Sequence, residues 1–543
     1  MRRVAPVLAA LATAAALTAC APAAPAATAA TEYLVFYADG ERSGALSAVR
    51  DAGGTVTGAG AGTGAEAKLG YVLARGHDDR FAEAVGDDPA VVGVSADRAI
   101  GHASSTPAKT FPDASAFSEK GGGEPLAGHQ WDMRMIGADR ANEKAPGTKQ
   151  VLVGVIDTGI DGTHPDIAPN FNRKLSRNFV TDRPKDDNGE TLDGPCEAAG
   201  CKDPVDQDDD GHGTHVASTI ASPINGIGIA GVAPGVQLVN IRAGQDSGFF
   251  FLKASLDALT YAGDIGVDVV NMSYYVDPWL FNCTANPADS KKEQLEQRAI
   301  ITGMQRALDY ARNKGVTLIS ALGNGSTDLG KPKTDDDSPG YPRGEEKVRQ
   351  VDNSCLNVPA ESRGVISVAS VGPSGRKAIY SDYGVEQADI AAPGGDSLDG
   401  KGASATRTIL AAAPEKALRA KGRIGADGKP KGGDVIRDCT GGTCSYYQYL
   451  EGTSMAAPHA AGVAAILISR FGEPGSGGVT LAPATVEKYL YETATRASCP
   501  NPRAFVYDVF GEKHTHQCEG EADKNGFYGH GIVNALEAAT FEP

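Results

Sequence analysis

Residues 452–467 constrain the fold more than any other stretch. Gly452-Thr453-Ser454 reads as a turn, and Met455, Ala456, Ala457, Ala460, Ala461, Val463, Ala464, Ala465, Ile466 and Leu467 follow with almost nothing polar between them. A helix that is apolar on every side has to be buried. Gly452 supplies backbone freedom, Thr453 or Ser454 can cap the helix, and Pro458 is expected in the first turn, where its missing N–H costs nothing. The serine hydroxyl then lies among free N–H groups at the positive end of a helix dipole, which favour negative charge. Taken alone, such a serine is a cap. It becomes a nucleophile only if the chain supplies a base and a group to orient that base.

From Gln130 onward the chain alternates strands and helices. Residues 151–156, 236–241, 267–272, 316–322 and 365–371 read as strands. Residues 212–221, 251–265 and 299–314 read as helices. Continuous apolar strands between helices argue an α/β fold, a parallel sheet with helices on both faces. Reactive groups in such folds collect at the carboxyl ends of strands. Asp157 and Asn324 both follow strands. Three stretches, 276–298, 325–356 and 396–448, read as loop additions, each with at least one Cys.

Ahead of this domain (129–543), residues 1–19 have a basic start, Arg2-Arg3, and an Ala/Leu-rich run. This is an export signal too short and too Ala-rich for a membrane span. Leu17-Thr18-Ala19-Cys20 resembles a bacterial lipobox, which makes Cys20 a candidate lipid anchor. Ordinary secretory cleavage is the alternative. Residues 20–31 are a low-complexity tether, and 32–100 follow the order βαββαβ, a small ferredoxin-like α+β unit. Residues 101–128 are a Ser/Pro/Gly-rich linker open to proteolysis. The net charge of −17 argues against nucleic acid or anionic membranes as partners. Removing Cys20 leaves eight cysteines, an even number that suits disulfides in an exported chain. Cys196/Cys201 and Cys439/Cys444 are expected to pair locally. Cys283 with Cys355 and Cys499 with Cys518 then follow by elimination.

The partners Ser454 needs are present. Asp157 opens Asp157-Thr158-Gly159-Ile160-Asp161, His212 opens His212-Gly213-Thr214-His215-Val216-Ala217, and Asn324 lies in Ala321-Leu322-Gly323-Asn324-Gly325. With Gly452-Thr453-Ser454-Met455-Ala456-Ala457-Pro458, the first two blocks resemble the three signature blocks of the subtilisin-like serine proteases, over roughly residues 130–540. The order Asp, His, Ser is also the chain order of that family's triad. The resemblance implies a three-layer subtilisin-like fold and an endopeptidase with no catalytic cofactor, acting on proteins or peptides. Ser454 is then the nucleophile, His212 the base, Asp157 its orienter, and Asn324 an oxyanion donor beside the Ser454 N–H. His215 and His459 are read as packing residues. Ser273, Tyr274 and Tyr275, where the family usually has Ser-Leu-Gly, and Ala321, Leu322 and Gly323 are the expected walls of the substrate cleft. A Tyr in place of that Gly is expected to reshape the cleft.

The resemblance also implies a structural calcium. Asp166 and Asn225 stand at its side-chain positions, and the carbonyls of Pro223, Ile227 and Ile229 would complete an oxygen cage. The acidic run Asp206, Asp208, Asp209, Asp210 reads as a solvated loop, and His514, His516 and Cys518 as an exposed loop with a disulfide rather than a zinc site. Residues 32–100 resemble the family's propeptide, a chaperone and inhibitor whose tail is expected to occupy the cleft and to be cut within 101–128. If Cys20 is lipidated, that cut leaves the anchor behind and frees an extracellular enzyme. A silent binding scaffold is the rival reading. An α/β-hydrolase esterase is disfavoured, because no G-x-S-x-G surrounds Ser454.

Overall fold

The strands at the centre of the molecule are short apolar runs, and each is buried along its whole length. In a computed structural model describing residues 30–57, 64–77, 80–97, 106–107, 123–186, 188–475 and 478–543, the chain begins with β1 (Thr31–Tyr37), α1 (Arg42–Asp51), β2 (Thr55–Val56), α2 (Ala65–Leu69), β3 (Tyr71–Gly76), α3 (Phe81–Val85) and β4 (Val91–Ala96). These strands form an antiparallel sheet in the order β2-β3-β1-β4, with α2, between β2 and β3, added to the βαββαβ order read from the sequence. The export signal, Cys20 and most of the linker lie outside the described residues; β5 (Thr106–Pro107) is the linker's strand.

The second unit contains α4 (Trp131–Met135), α5 (Ala138–Ala141), β6 (Leu152–Ile156), β7 (Arg177–Asn178), α6 (His212–Ala221), β8 (Gln237–Arg242), α7 (Leu252–Ile265), β9 (Val269–Met272), α8 (Lys291–Asn313) and β10 (Thr317–Ala321). It continues with the ribbon β11 (Thr334–Asp335) and β12 (Arg349–Gln350), then β13 (Val365–Val371) and β14 (Ile390–Pro393). Seven strands form one parallel sheet in the order β14-β13-β10-β9-β6-β8-β7. Helices cover both faces, so β6, β9, β10 and β13 need no solvent-facing polar side and are buried throughout.

One face carries α6 and α10 (Thr453–Phe471), with α11 (Pro483–Glu492) and α12 (Ala535–Thr540) packed on α10. The other carries α7 and α8. The N-terminal sheet rests on α8: Leu34, Phe36, Leu69 and Tyr71 share an apolar cluster with Ala299, Ile300 and Met304. A Cβ on Gly93 of β4 would come within 2.4 Å of the Ala299 nitrogen. Arg306 donates from α8 to the carbonyls of Leu69, Gly70 and Tyr37 at 3.0–3.1 Å.

The three additions differ from simple loops. The first ends in helix: α8 starts at Lys291, capped by Ser290 and Glu293, whose S-x-x-E spacing is a capping box. The last, 396–448, contains β15 (Ile409–Ala412), α9 (Glu415–Ala420) and β16 (Val435–Asp438) and enters β17 (Ser445–Glu451). The strands pair antiparallel as β15-β17-β16, and β5 adds to β17. All four expected disulfides are present: Cys196–Cys201, Cys283–Cys355, Cys439–Cys444 and Cys499–Cys518. The segment around His514 is exposed and carries its expected disulfide, but it is a hairpin rather than a loop. After the short pair β18 (Glu473–Gly475) and β19 (Gly478–Thr480), β20 (Ala504–Val509) and β21 (Glu512–Gln517) form a hairpin. In it His516 is buried against Tyr383 and Tyr507, and burial lowers its pKa to about 3. No helix among the described residues is long and apolar enough to cross a membrane.

Candidate active site

Three strands end level with one another. Ile156 of β6 pairs with Met272 of β9, and Met272 with Ser320 of β10. Asp157, Ser273 and Ala321 therefore leave the sheet side by side at its carboxyl edge. His212 arrives there as the first residue of α6. The start of α6 is fixed by Asp208, whose carboxylate accepts from the N–H groups of Gly211 (2.8 Å) and Thr214 (2.9 Å) and from the hydroxyls of Thr214 (2.6 Å) and Thr158 (3.0 Å). Only glycine fits at position 213, since a Cβ there would lie 2.1 Å from the Gly159 carbonyl oxygen.

His212 Nδ1 donates to Asp157 Oδ1 at 2.7 Å, and the Thr158 N–H donates to the same oxygen at 2.8 Å. Both side chains are buried. Burial pulls the imidazole down, but Asp157, with Asp210 and Asp208 beyond it, outweighs this and holds His212 above its ordinary range. His212 Nε2 is buried without a hydrogen-bond partner among the described residues. The Ser454 hydroxyl donates to the Ser273 carbonyl at 3.2 Å, so the serine–histidine bond expected from the sequence is not formed in this state.

Residues at the helix start hold positions other than those expected. Gly452 is the N-cap and has no side chain to offer. The Thr453 hydroxyl instead donates to Asn324 Oδ1 at 2.9 Å and accepts from the Gly323 N–H at 3.1 Å. The Thr453 N–H also donates to Asn324 Oδ1, at 2.9 Å. With its carboxamide oxygen taken twice, Asn324 is oriented with Nδ2 as its donor end. Pro458 lies inside the helix, past its first turn. Its missing N–H would have bonded the Ser454 carbonyl. The Ser273 hydroxyl donates to that carbonyl instead, at 3.0 Å. Sequence reasoning missed Asp382, which holds the loop bearing Asn324 from behind. It accepts from the Thr327 N–H at 2.7 Å and donates its own N–H to Gly323 O at 2.9 Å. Burial pushes its carboxyl up to about 7. No local spacing in the sequence marks it.

A pocket opens beside Ser454, lined by Ser273, Tyr274, Tyr275, Ala321, Gly323 and Asn324, with Leu280 and Asp337 from the additions. Tyr274 is buried, stacked on Phe250 at 4.1 Å. Leu322 is not a wall. Strand alternation turns it into the apolar cluster with Leu329 and Ala369. His215 donates to the carbonyls of Ile409 or Gln448, and His459 pairs with Asp132 at 3.0 Å, both in packing positions.

The two side chains of the expected calcium site lie together, with the buried Glu124 carboxylate near them. Asp166 and Asn225 meet at 3.2 Å, but Ile229 faces Asp166 with its N–H (3.0 Å) and Tyr447 with its hydroxyl (3.2 Å). The Asn225 amide oxygen accepts from the Ile227 N–H at 2.9 Å. The acidic run is not a solvated loop. Asp208 is buried, while Asp206, Asp209 and Asp210 pair with Arg173, Lys416 and Lys421. Asp182, Asp203 and Asp246 form the one carboxylate cluster close enough for a metal among the described residues. The Arg242 guanidinium occupies its centre, 2.8 Å from each.

The chain matches the profile of the subtilase family over residues 148–531. It is 27% identical over 344 residues to a thermophilic serine proteinase from Bacillus sp. (strain AK1), covering 63% of this chain and 58% of that protein. It is 29% identical over 362 residues to fervidolysin from Fervidobacterium pennivorans, covering 64% of this chain and 39% of that one. The match thus spans about half the length of these relatives. The fold is shared with the crystal structure of an epidermin leader peptide processing serine protease from Staphylococcus aureus, with TM-score 0.60, 20% identity, and coverage of 94% of this chain and 98% of that one.

Proposed function

The chain belongs to the subtilase family, and from that premise we propose that it is a serine endopeptidase, exported as a zymogen, with Ser454, His212 and Asp157 as its triad. The observation that carries the reading is the buried Asp157–His212 bond at 2.7 Å, at a strand edge shared with Ser454 and Asn324. In the reactive arrangement the Ser454 hydroxyl leaves the Ser273 carbonyl and donates to His212 Nε2. The oxygen attacks the scissile carbonyl carbon as its proton passes to Nε2. The oxyanion is met by Asn324 Nδ2 and the Ser454 N–H. His212 then protonates the leaving amine, and water releases the acyl group by the reverse steps. Asp157 stabilises the imidazolium throughout.

The zymogen part is supported by the N-terminal sheet on α8 and by β5. Thr106 and Pro107 pair antiparallel with Glu451 and Leu450, directly ahead of Gly452. Residues 32–100 then act as chaperone and inhibitor, the cut falls within 101–128, and a lipid on Cys20 stays with the removed part. Expression of Ser454→Ala beside the wild type tests both claims. The wild type is expected to yield a chain starting within 101–128 and to digest a denatured protein mixture, while Ser454→Ala remains uncut and inert. Processing of Ser454→Ala in a protease-free preparation would contradict self-cleavage, and a mature enzyme still starting at Cys20 would contradict release from the anchor.

A further inference from the structure

The pocket beside Ser454 carries a charge that the family signature does not explain. Its walls from the sheet edge are uncharged. The additions supply Gly325 and two side-chain walls, Leu280 and Asp337, and among the described residues no Lys, Arg or His lines the pocket. Asp337 is exposed at the wall. Among the described residues no cation pairs with it.

Its surroundings are acidic. Burial, then Asp336, Asp335 and Glu346, hold the Asp337 carboxyl above the ordinary range. Asp337 and Tyr275 line the same pocket, and the Tyr275 hydroxyl is raised by burial and then by Asp277, Asp337 and Asp335. Two basic residues of the same addition are used elsewhere. Buried Arg349 binds Asp289 at 2.8 Å and Asp335 at 2.5 Å and stacks on Trp279 at 4.6 Å. Lys347 binds Asp289 and Glu293.

The position of Asp337 is well determined. Its N–H and that of Ser338 both donate to Asp335 Oδ1 at 3.1 Å, and Arg349 clamps the other oxygen of Asp335. The Ser338 hydroxyl accepts from the Leu280 N–H at 2.8 Å, which ties the two walls together. The Cys283–Cys355 disulfide joins the two additions.

We propose that this pocket receives the side chain of the residue supplying the scissile carbonyl and selects lysine or arginine there, with Leu280 and Ala321 against the aliphatic stem and Asp337 meeting the cationic end. Both cations carry an apolar stem with a charged tip, which suits a pocket apolar within and acidic at its open side. This rests on the endopeptidase reading and adds the substrate class to it.

Peptide nitroanilides differing only at that residue, as Arg, Lys, Leu, Phe or Glu, test the proposal. Concentrations of active enzyme are set by titration with a fluorophosphonate. The wild type is expected to cleave the Arg and Lys substrates at least about tenfold faster in kcat/KM than Leu or Phe, and Glu slowest. In Asp337→Asn the Arg-to-Leu ratio of kcat/KM is expected to fall about tenfold. Asp337→Glu is expected to restore most of it, which a merely structural role for the residue would not do. A wild-type preference for Leu or Phe, or an unchanged ratio in Asp337→Asn, overturns the proposal while leaving the endopeptidase reading intact. No fluorophosphonate uptake and no cleavage of any substrate would overturn that reading itself.

Discussion

At the residue scale the chemistry depends on how few atoms are left without a partner near Ser454. His212 is paired on Nδ1 and open on Nε2, so it accepts a proton from one direction only. Its pKa is held above the ordinary value near 6.5. The base works only when neutral. Activity is therefore expected to rise with pH through a limb in kcat/KM centred above 6.5, and a limb at or below 6 would contradict the electrostatics of Asp157, Asp210 and Asp208. Asn324 is held by Thr453 at its carboxamide oxygen. Asn324→Leu keeps the volume and removes the donor. It is expected to lower kcat by about 10²–10³ with little change in KM, as steady-state kinetics on one peptide substrate would read. These residues were legible because each lies in a short block at a strand end or helix start. Asp382 and Asp337 were not. They reach the site from loops whose path depends on tertiary contacts, and no local spacing announces them.

At the scale of elements, α10 is the apolar, fully buried helix that its composition required, buried from Thr453 to Ile468. The expectation that failed there concerned detail. A proline within a helix loses one bond, and here a neighbouring strand end supplies the replacement, Ser273, which no pattern inside the helix could show. The additions were misread for a related reason. The Ser290/Glu293 capping box was present in the sequence, but the helix it starts opens with Lys291-Lys292-Glu293-Gln294, which has little apolar periodicity. The loop around Asp166 offers a further test at this scale. Burial raises its carboxyl to about 8, against about 3.9 in an unfolded chain. The folded state thus holds the extra proton, so this group's contribution to stability is full below about pH 4 and declines as pH rises towards 8. Asp166→Asn is expected to flatten that decline in thermal melts. A protonated, hydrogen-bonded Asp166 predicts a wild-type Tm unchanged by a chelator, and a clear fall would show that a cation holds the loop.

At the scale of the molecule, the two units divide the work. The parallel sheet was readable from its alternating strands and helices, and the N-terminal order βαββαβ from its own, because both patterns are local. What the sequence could not show is how they meet. The contact depends on Gly93 letting β4 approach the backbone of α8, and on Arg306 reaching three carbonyls across the interface. The central claim is that Ser454 is activated by His212 and Asp157 at the start of a buried helix. Peptide mapping by mass spectrometry after treatment with a fluorophosphonate tests it most directly. The account predicts a single adduct on Ser454 in the wild type and none in His212→Ala. An adduct on another serine, or equal labelling of Ser454 without His212, would contradict it.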